Sequence, residues 1–414
     1  MACALMASAL APQHLLAQEA QTPAEAPSAT ASSTAAPSAA ALSAAASSTA
    51  VPSAAAPSAA VPPSAAAPAT DGAAAPTSTG AKFADLLAAT GITATGYVST
   101  SYYHSSGDST FHEFDTAHDT FQLDQAGLTV AYQPKEGFGA LVNVVAGEDA
   151  RIINQAENGG DSEFNVTQAF VQYAKGPLTV IGGRFLTLAG AESENPTLNT
   201  NFSRSLVYFA EPITHTGLRA TYAATDTLSV IIGINDGWNT TSTSYGSKTG
   251  EFGLLYTPNK AASITAQAYV GKDPSYNATR ALVDIVATYN ATASLSFVLN
   301  YDWGEQEQQP VGTDLSNLDW NALAGYVNYA FNSQWRVSLR GELLDDQGGF
   351  VTNTPQKIEE GTVTVGYSPM KSFELRLEGR YDTSNKATFV YKTNAGETFD
   401  THQTGFAAQG IFKF

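Results

Sequence analysis

Charged residues make up only 14% of this 414-residue chain, cysteine occurs once, and no apolar run approaches the roughly 20 residues that a membrane helix requires. The last absence excludes a helical membrane protein. The lone Cys3, in an N-terminal stretch expected to be removed, leaves no cysteine for a disulfide or a thiolate metal site. Basic residues are also few: 20 Lys and Arg stand against 38 Asp and Glu, a formal charge of −18 that argues against nucleic acid as a partner. No nucleophile elbow, phosphate-binding loop or HExxH motif occurs, so neither an enzyme nor a cofactor is expected. The stretch HEFDTAHD holds His112 and His118 without a spacing that fixes metal geometry, and no metal site is expected there.

What the chain has in abundance is alternation. Tyr132, Tyr173, Tyr222, Tyr256, Tyr289, Tyr329, Tyr367 and Phe414 each close a run in which every second residue is apolar, as in Leu128, Val130, Tyr132 or Phe406, Ala408, Gly410, Phe412, Phe414. The residues between are mostly Gly, Thr, Gln, Asn, Arg and Lys. A period of two is a β-strand with one face in an apolar medium and the other in a polar one. An aromatic at one fixed end of the apolar face suits a membrane interface, where Tyr buries its ring and keeps its hydroxyl wet. The expected fold is all-β: a transmembrane, antiparallel, up-and-down β-barrel.

Sixteen strands are expected, at about 92–104, 121–133, 138–147, 165–175, 178–188, 214–224, 228–237, 250–258, 262–272, 280–290, 295–304, 318–331, 335–345, 360–368, 373–383 and 403–414. Tight turns such as QPKEG and SPMKS alternate with long polar connections such as 148–164 and 384–402. An even strand number, with short turns on one rim and long loops on the other, is the pattern of bacterial outer-membrane barrels and puts both termini on the short-turn side. Ahead of the barrel at 92–414, residues 1–20 read as a secretory signal that lacks its basic start, since no Lys or Arg precedes Lys82. Residues 21–80, almost entirely Ala, Pro, Ser and Thr, read as a disordered linker, and 81–91 as a short helical lead-in.

The register assigns side chains to faces. Arg336, Arg340 and Glu342 lie opposite Trp335, Val337, Leu339 and Leu343; Glu374, Arg376, Glu378 and Arg380 lie opposite Phe373, Leu375, Leu377 and Tyr381. An Arg facing lipid at mid-depth costs about 2–4 kcal/mol, so the charged face is expected to line a water-filled lumen. The same count turns Arg184, His215 and Arg219 inward. They flank the longest connection, 189–213, which carries Glu192, Glu194, Arg204 and Glu211. Folded into the lumen, this loop would set its acids against the wall arginines and narrow the pore. In the plainer arrangement Arg184 and Arg219 pair with neighbouring wall acids and the loop lies over the rim.

The block GRFLTLAGAESENPTLNTNFSRSLVYFAEPITHTGLRATYAATDTLSVIIGINDGWN (183–239), with GYVSTSYY (96–103) and the terminal IFKF, resembles the OmpL-like β-barrel porin family of bacterial outer membranes. The resemblance covers about residues 92–414 and implies a pore-forming barrel in a Gram-negative outer membrane, with no catalytic residues. Passive diffusion of small hydrophilic solutes or ions is the expected function. A weak cation preference is expected from the acidic loops 105–120 (Asp108, Glu113, Asp115, Asp119) and 305–317 (Glu305, Glu307, Asp314). Two alternatives stand beside it: a non-conducting anchoring or adhesive barrel, and a solute-specific channel for which Tyr269 is an isolated stacking aromatic. The expected partners are outer-membrane lipid and lipopolysaccharide, the barrel-assembly machinery acting on the strand that ends at Phe414, the solutes and ions themselves, and further copies of the chain in a homotrimer, as porins often form.

Overall fold

The structure, a computed structural model, describes residues 90–242, 246–273, 278–307, 317–393 and 396–414. The expected signal, linker and nearly all of the lead-in lie outside the described residues, as does Asp314.

Sixteen antiparallel strands close into a barrel. They are β1 (Thr93–Ser105), β2 (Thr120–Tyr132), β3 (Gly137–Ala146), β4 (Phe164–Lys175), β5 (Leu178–Leu186), β6 (Thr214–Ala223), β7 (Leu228–Asn235), β8 (Thr249–Asn259), β9 (Ala262–Asp273), β10 (Ala278–Asn290), β11 (Leu295–Gln306), β12 (Leu318–Ala330), β13 (Trp335–Asp346), β14 (Gln356–Met370), β15 (Phe373–Ser384) and β18 (His402–Lys413). Sequence neighbours pair in turn, and β1 meets β18 with Tyr97 opposite Lys413, which removes the free edges. The seam is finished by Gly96 and Phe414, whose backbones exchange two N–H···O bonds of 2.9 Å. The Phe414 ring lies over Gly96, in the space a Cβ would need.

Element boundaries agree with the alternation to within a few residues, with one larger difference. β14 starts at Gln356 rather than 360, because Gln356 and Ile358 continue its inward-facing series. Within the connection 384–402 a separate hairpin forms, β16 (Phe389–Thr393) with β17 (Gly396–Asp400), outside the barrel sheet. The connection 148–164, read from sequence as a loop, contains helix α1 (Glu148–Asn158). Glu148 and Asp149 occupy its first turn, where the helix dipole favours acids, and Gly159 ends it with a left-handed φ of 69°. Its Ala150, Ile152 and Ile153 pack against Val145, Phe114 and Leu186, so the helix lies inside the barrel mouth.

The outer face carries the apolar series. Leu377 is 64% exposed, and the eight aromatics that close the apolar runs lie on the outer wall, Trp335 packing on Tyr367 at 4.4 Å between centroids. A bulge explains a break in the alternation of β2. The β1–β2 register shifts at Ser99/Thr100, and Asp124 and Gln125 are both buried, so Phe121 and Leu123 stay outward although Leu128 and Tyr132 are too.

Leu377→Arg should destabilise the barrel by about 2–4 kcal/mol in urea titrations in lipid vesicles, while the same change at an inward wall position near the open lumen should cost far less. Equal effects at both places would contradict the assignment of faces.

Candidate functional site

The connection between β5 and β6 does not lie over the rim. It enters the barrel and reaches the inner faces of the strands on the far side. Its start is tied to β9: the Tyr269 hydroxyl accepts from Leu188 N (3.0 Å) and meets Thr187 Oγ1 at 3.1 Å. Ala191 N then donates to Asn300 Oδ1 on β11 (2.8 Å). Asn195 caps a 3₁₀ turn at Pro196–Leu198, and Ser205 caps a single helical turn, α2 (Leu206–Phe209), by accepting from Tyr208 N at 2.8 Å.

Between these caps the loop has little internal secondary structure, and a buried backbone must still satisfy its polar groups. The wall supplies the partners. Arginines donate to loop carbonyls: Arg336 to Thr200 O (2.7 Å), Arg376 to Asn199 O (2.9 Å), Arg340 to Ser203 O (2.9 Å) and Arg380 to Arg204 O (2.7 Å). Glutamates accept loop N–H groups: Glu378 takes Phe202 N (2.6 Å) and Ser203 N (2.9 Å), and Glu342 takes Leu206 N (2.6 Å). One loop acid joins in, Glu192 accepting from Arg340 Nη1 (2.9 Å) and from Ser205 N (2.7 Å). Arg204 turns back on the loop, donating to Ser193 O (2.8 Å) and Glu194 O (3.0 Å), with Phe114 and Tyr208 against its guanidinium.

The sequence expectation of loop acids facing Arg184 and Arg219 is corrected here. Arg219 pairs with Glu251 of the wall (2.8 Å), and Arg184 pairs with Glu157 of α1, an element the strand register could not supply. His215 stacks on Tyr269 at 4.8 Å and contacts Gly237 O through Nδ1. Tyr269 is fully buried as an anchor of the loop, which removes it as a platform for a passing solute. Glu374 bridges Arg336 (2.5 Å) and Arg376 (3.0 Å).

Most of these charged groups are not open to a wide lumen. The side chains of Arg336 and Arg184 retain 23% and 15% exposure, whereas that of Arg340 retains none. Nor is the inner wall polar throughout. Trp320, Ala322, Ala324 and Tyr326 of β12, with Leu344 and Ile358, form an apolar core with Leu206, Val207 and Phe209 of the loop. Trp320 stacks on Phe350 at 4.7 Å and needs Gly304 beside it, since a Cβ there would overlap the indole. The four β12 residues share the inward face of a strand located from sequence, so the signal existed in the alternation.

Two acids assigned to the rim from sequence are interior. His112 lies between Asp115 (2.5 Å) and Asp382 (3.2 Å), all three buried. Glu113 is buried with no hydrogen bond to either carboxylate oxygen. Burial pushes its carboxyl up to about 8, against the opposing pull of Arg204.

A family model described as "Putative beta-barrel porin-2, OmpL-like" matches residues 91–414. No curated protein matches the chain. Among solved structures, OprB of Pseudomonas putida is similar with a TM-score of 0.55 at 12% identity, over 82% of this chain and 98% of that one. An anion-selective porin from Comamonas acidovorans gives 0.54 at 14% identity, over 78% and 99%. The trimer form of Vibrio cholerae OmpT gives 0.52 at 11% identity, also over 78% and 99%. At these identities the likeness is one of fold.

Glu378→Ala removes the acceptor for two buried loop N–H groups, a loss of about 3 kcal/mol at roughly 1.5 kcal/mol for each charge-assisted bond. Local opening should rise about a hundredfold, and trypsin should then release a fragment ending at Arg204 that the parent barrel does not yield. Glu113 gives a pH dependence. Its folded value of about 8 lies above the ordinary 4.5, so the stability it confers is whole below about pH 4.5 and is lost as pH rises to about 8, by at most ~1.4 kcal/mol per pH unit. Glu113→Gln should lose less thermal stability than the parent between pH 5 and pH 9; parallel curves would exclude a buried proton at this position.

Proposed function

The chain belongs to the OmpL-like β-barrel porin family of the bacterial outer membrane, and on that premise we propose a narrow diffusion channel for small hydrophilic solutes or ions, constricted by the inward loop. An outer-membrane channel is the function common to the family and the fold. The observation that supports constriction is the loop's attachment to the opposite wall through Arg336, Arg340, Arg376 and Arg380. In this reading solutes pass on the side left free by the loop, and of the sequence-assigned charges Arg336 and Arg184 are the ones that meet them, because they keep the most exposed surface. The other charges hold the constriction in shape.

Selectivity follows from what stays exposed at the long-loop end. Asp161, Glu163, Glu307, Glu359 and Glu397 are exposed against the exposed Lys272 and Lys386, while Lys248, Lys357 and Lys392 each sit against an acid at 2.5–2.8 Å and Arg151 pairs with Glu148 and Asp161. This surplus of negative charge favours a weak cation preference even though Glu113 and Asp115 are interior. A homotrimer is the assembly we favour, by analogy with the trimeric relative. Its interface would use the apolar outer depression where Ala408 and Gly410 lie between Phe373, Phe412 and Trp335. Membrane lipid and lipopolysaccharide would cover the remaining outer surface, and the assembly machinery would engage the strand ending at Phe414.

Planar-bilayer recordings test the reading. The full chain should give channel steps whose zero-current potential in a salt gradient has the cation-preferring sign. Deleting residues 195–205 should raise unit conductance, Arg336→Glu should strengthen cation preference, and Arg219→Glu, at a buried position, should act on stability more than on selectivity. A barrel without steps would be a sealed, structural one; unchanged conductance after the deletion would dismiss the loop as the constriction.

A further inference from the structure

Three carboxylates from separate parts of the chain meet inside the barrel. Asp284 on β10 and Asp302 on β11 are direct cross-strand partners, and the inward loop brings Glu211 to them as it returns towards β6. One oxygen from each lies within 4.8 Å of the others, and all three residues are fully buried. The Asn300 amide is within reach of Glu211, but neither Glu211 oxygen has a hydrogen bond of good geometry, and Asp284 Oδ1 and Asp302 Oδ2 are likewise without one. The donors that do reach the group touch other atoms: Asn300 Nδ2 is 2.6 Å from Asp284 Oδ2 and 3.5 Å from Asp302 Oδ1, and the Gly190 backbone contacts Asp284. Asn300 is itself fixed by Ala191 N, and Gly190, at φ 88°, passes so close that a Cβ there would overlap the Glu211 carboxylate. Among the described residues no Arg or Lys forms an ion pair with any of the three. The arginines of this wall are engaged elsewhere, Arg219 with Glu251 and Arg340 with Glu192, Glu342 and Glu360.

Three carboxylates without a countercharge in a dry interior are strongly disfavoured, and a bound cation would supply the missing charge. The ligands are hard oxygens with no His or Cys among them, which suits Ca²⁺ and not the softer metals. One Ca²⁺ can span the group, since two oxygens bound to it at about 2.4 Å are at most about 4.8 Å apart. We propose that Glu211, Asp284 and Asp302 bind one Ca²⁺ ion that fastens the returning limb of the inward loop to β10 and β11. The wall arginines and glutamates hold residues 199–206 on β13 and β15, and the ion secures the returning limb at Glu211, which they do not reach. The site stands whether or not the barrel conducts.

The test uses the full chain, folded in detergent, stripped with chelator and titrated with Ca²⁺ by calorimetry, with Tb³⁺ luminescence and its displacement by Ca²⁺ as a second measure. One ion per chain should bind, the unfolding midpoint should rise with Ca²⁺, and Glu211→Gln or Asp302→Asn should weaken binding about tenfold or more. Glu211→Gln is isosteric and lies on the loop, so it keeps the test valid if the strand variant fails to fold. Absence of saturable binding, or binding that survives both substitutions, overturns the site. A midpoint indifferent to Ca²⁺ and chelator that climbs as pH falls from 8 to 5 overturns it as well, since the carboxyls would then be neutralised by protons.

Discussion

The arrangement inside this barrel rests on charge-assisted hydrogen bonds between wall side chains and the backbone of a loop that cannot satisfy itself. Strands and helices use up their own N–H and C=O groups. A loop drawn into the lumen has neither a ladder nor water in sufficient supply, and an unpaired buried backbone group costs about 1–3 kcal/mol. Arg336, Arg340, Arg376 and Arg380 serve its carbonyls, while Glu342 and Glu378 serve its N–H groups. The division follows from chemistry: guanidinium only donates and carboxylate only accepts.

This requirement explains why the charged positions alternate in sign and why so many are buried. Charges on an open pore wall would keep their hydration. Here Arg340 is enclosed by Glu192, Glu342 and Glu360 while it also binds loop carbonyls, so each ion is compensated locally and the cluster acts as a fixed clamp. The apolar inner face of β12 completes the seat by covering Leu206, Val207 and Phe209. Two kinds of wall therefore hold one loop, polar where its backbone groups lack partners, the N-terminus of α2 included, and apolar against the side chains of α2.

Much of the fold was legible because a membrane imposes the same two-sided rule on every strand. Leu375 and Leu377 outward, Arg376 and Glu378 inward, could be assigned from alternation alone, and the irregularity at Asp124 and Gln125 is a local bulge. Helix α1 was missed because its short apolar series, Ala150 and Ile153 among polar residues, lies within a connection already expected to be polar. The buried state of Glu113 and Asp115 was missed for a related reason: acids in a loop resemble a solvated rim until the loop is seen to pack.

Strand number, order and facing were thus determined by the sequence itself, since each is encoded by the local period of two and by the lengths of the turns. The destination of the inward loop was decided only in three dimensions. Its partners on β13, β14 and β15 lie well over a hundred residues away, and what they bind is mostly main chain, whose N–H and C=O groups are the same for almost every residue and leave no mark in the sequence.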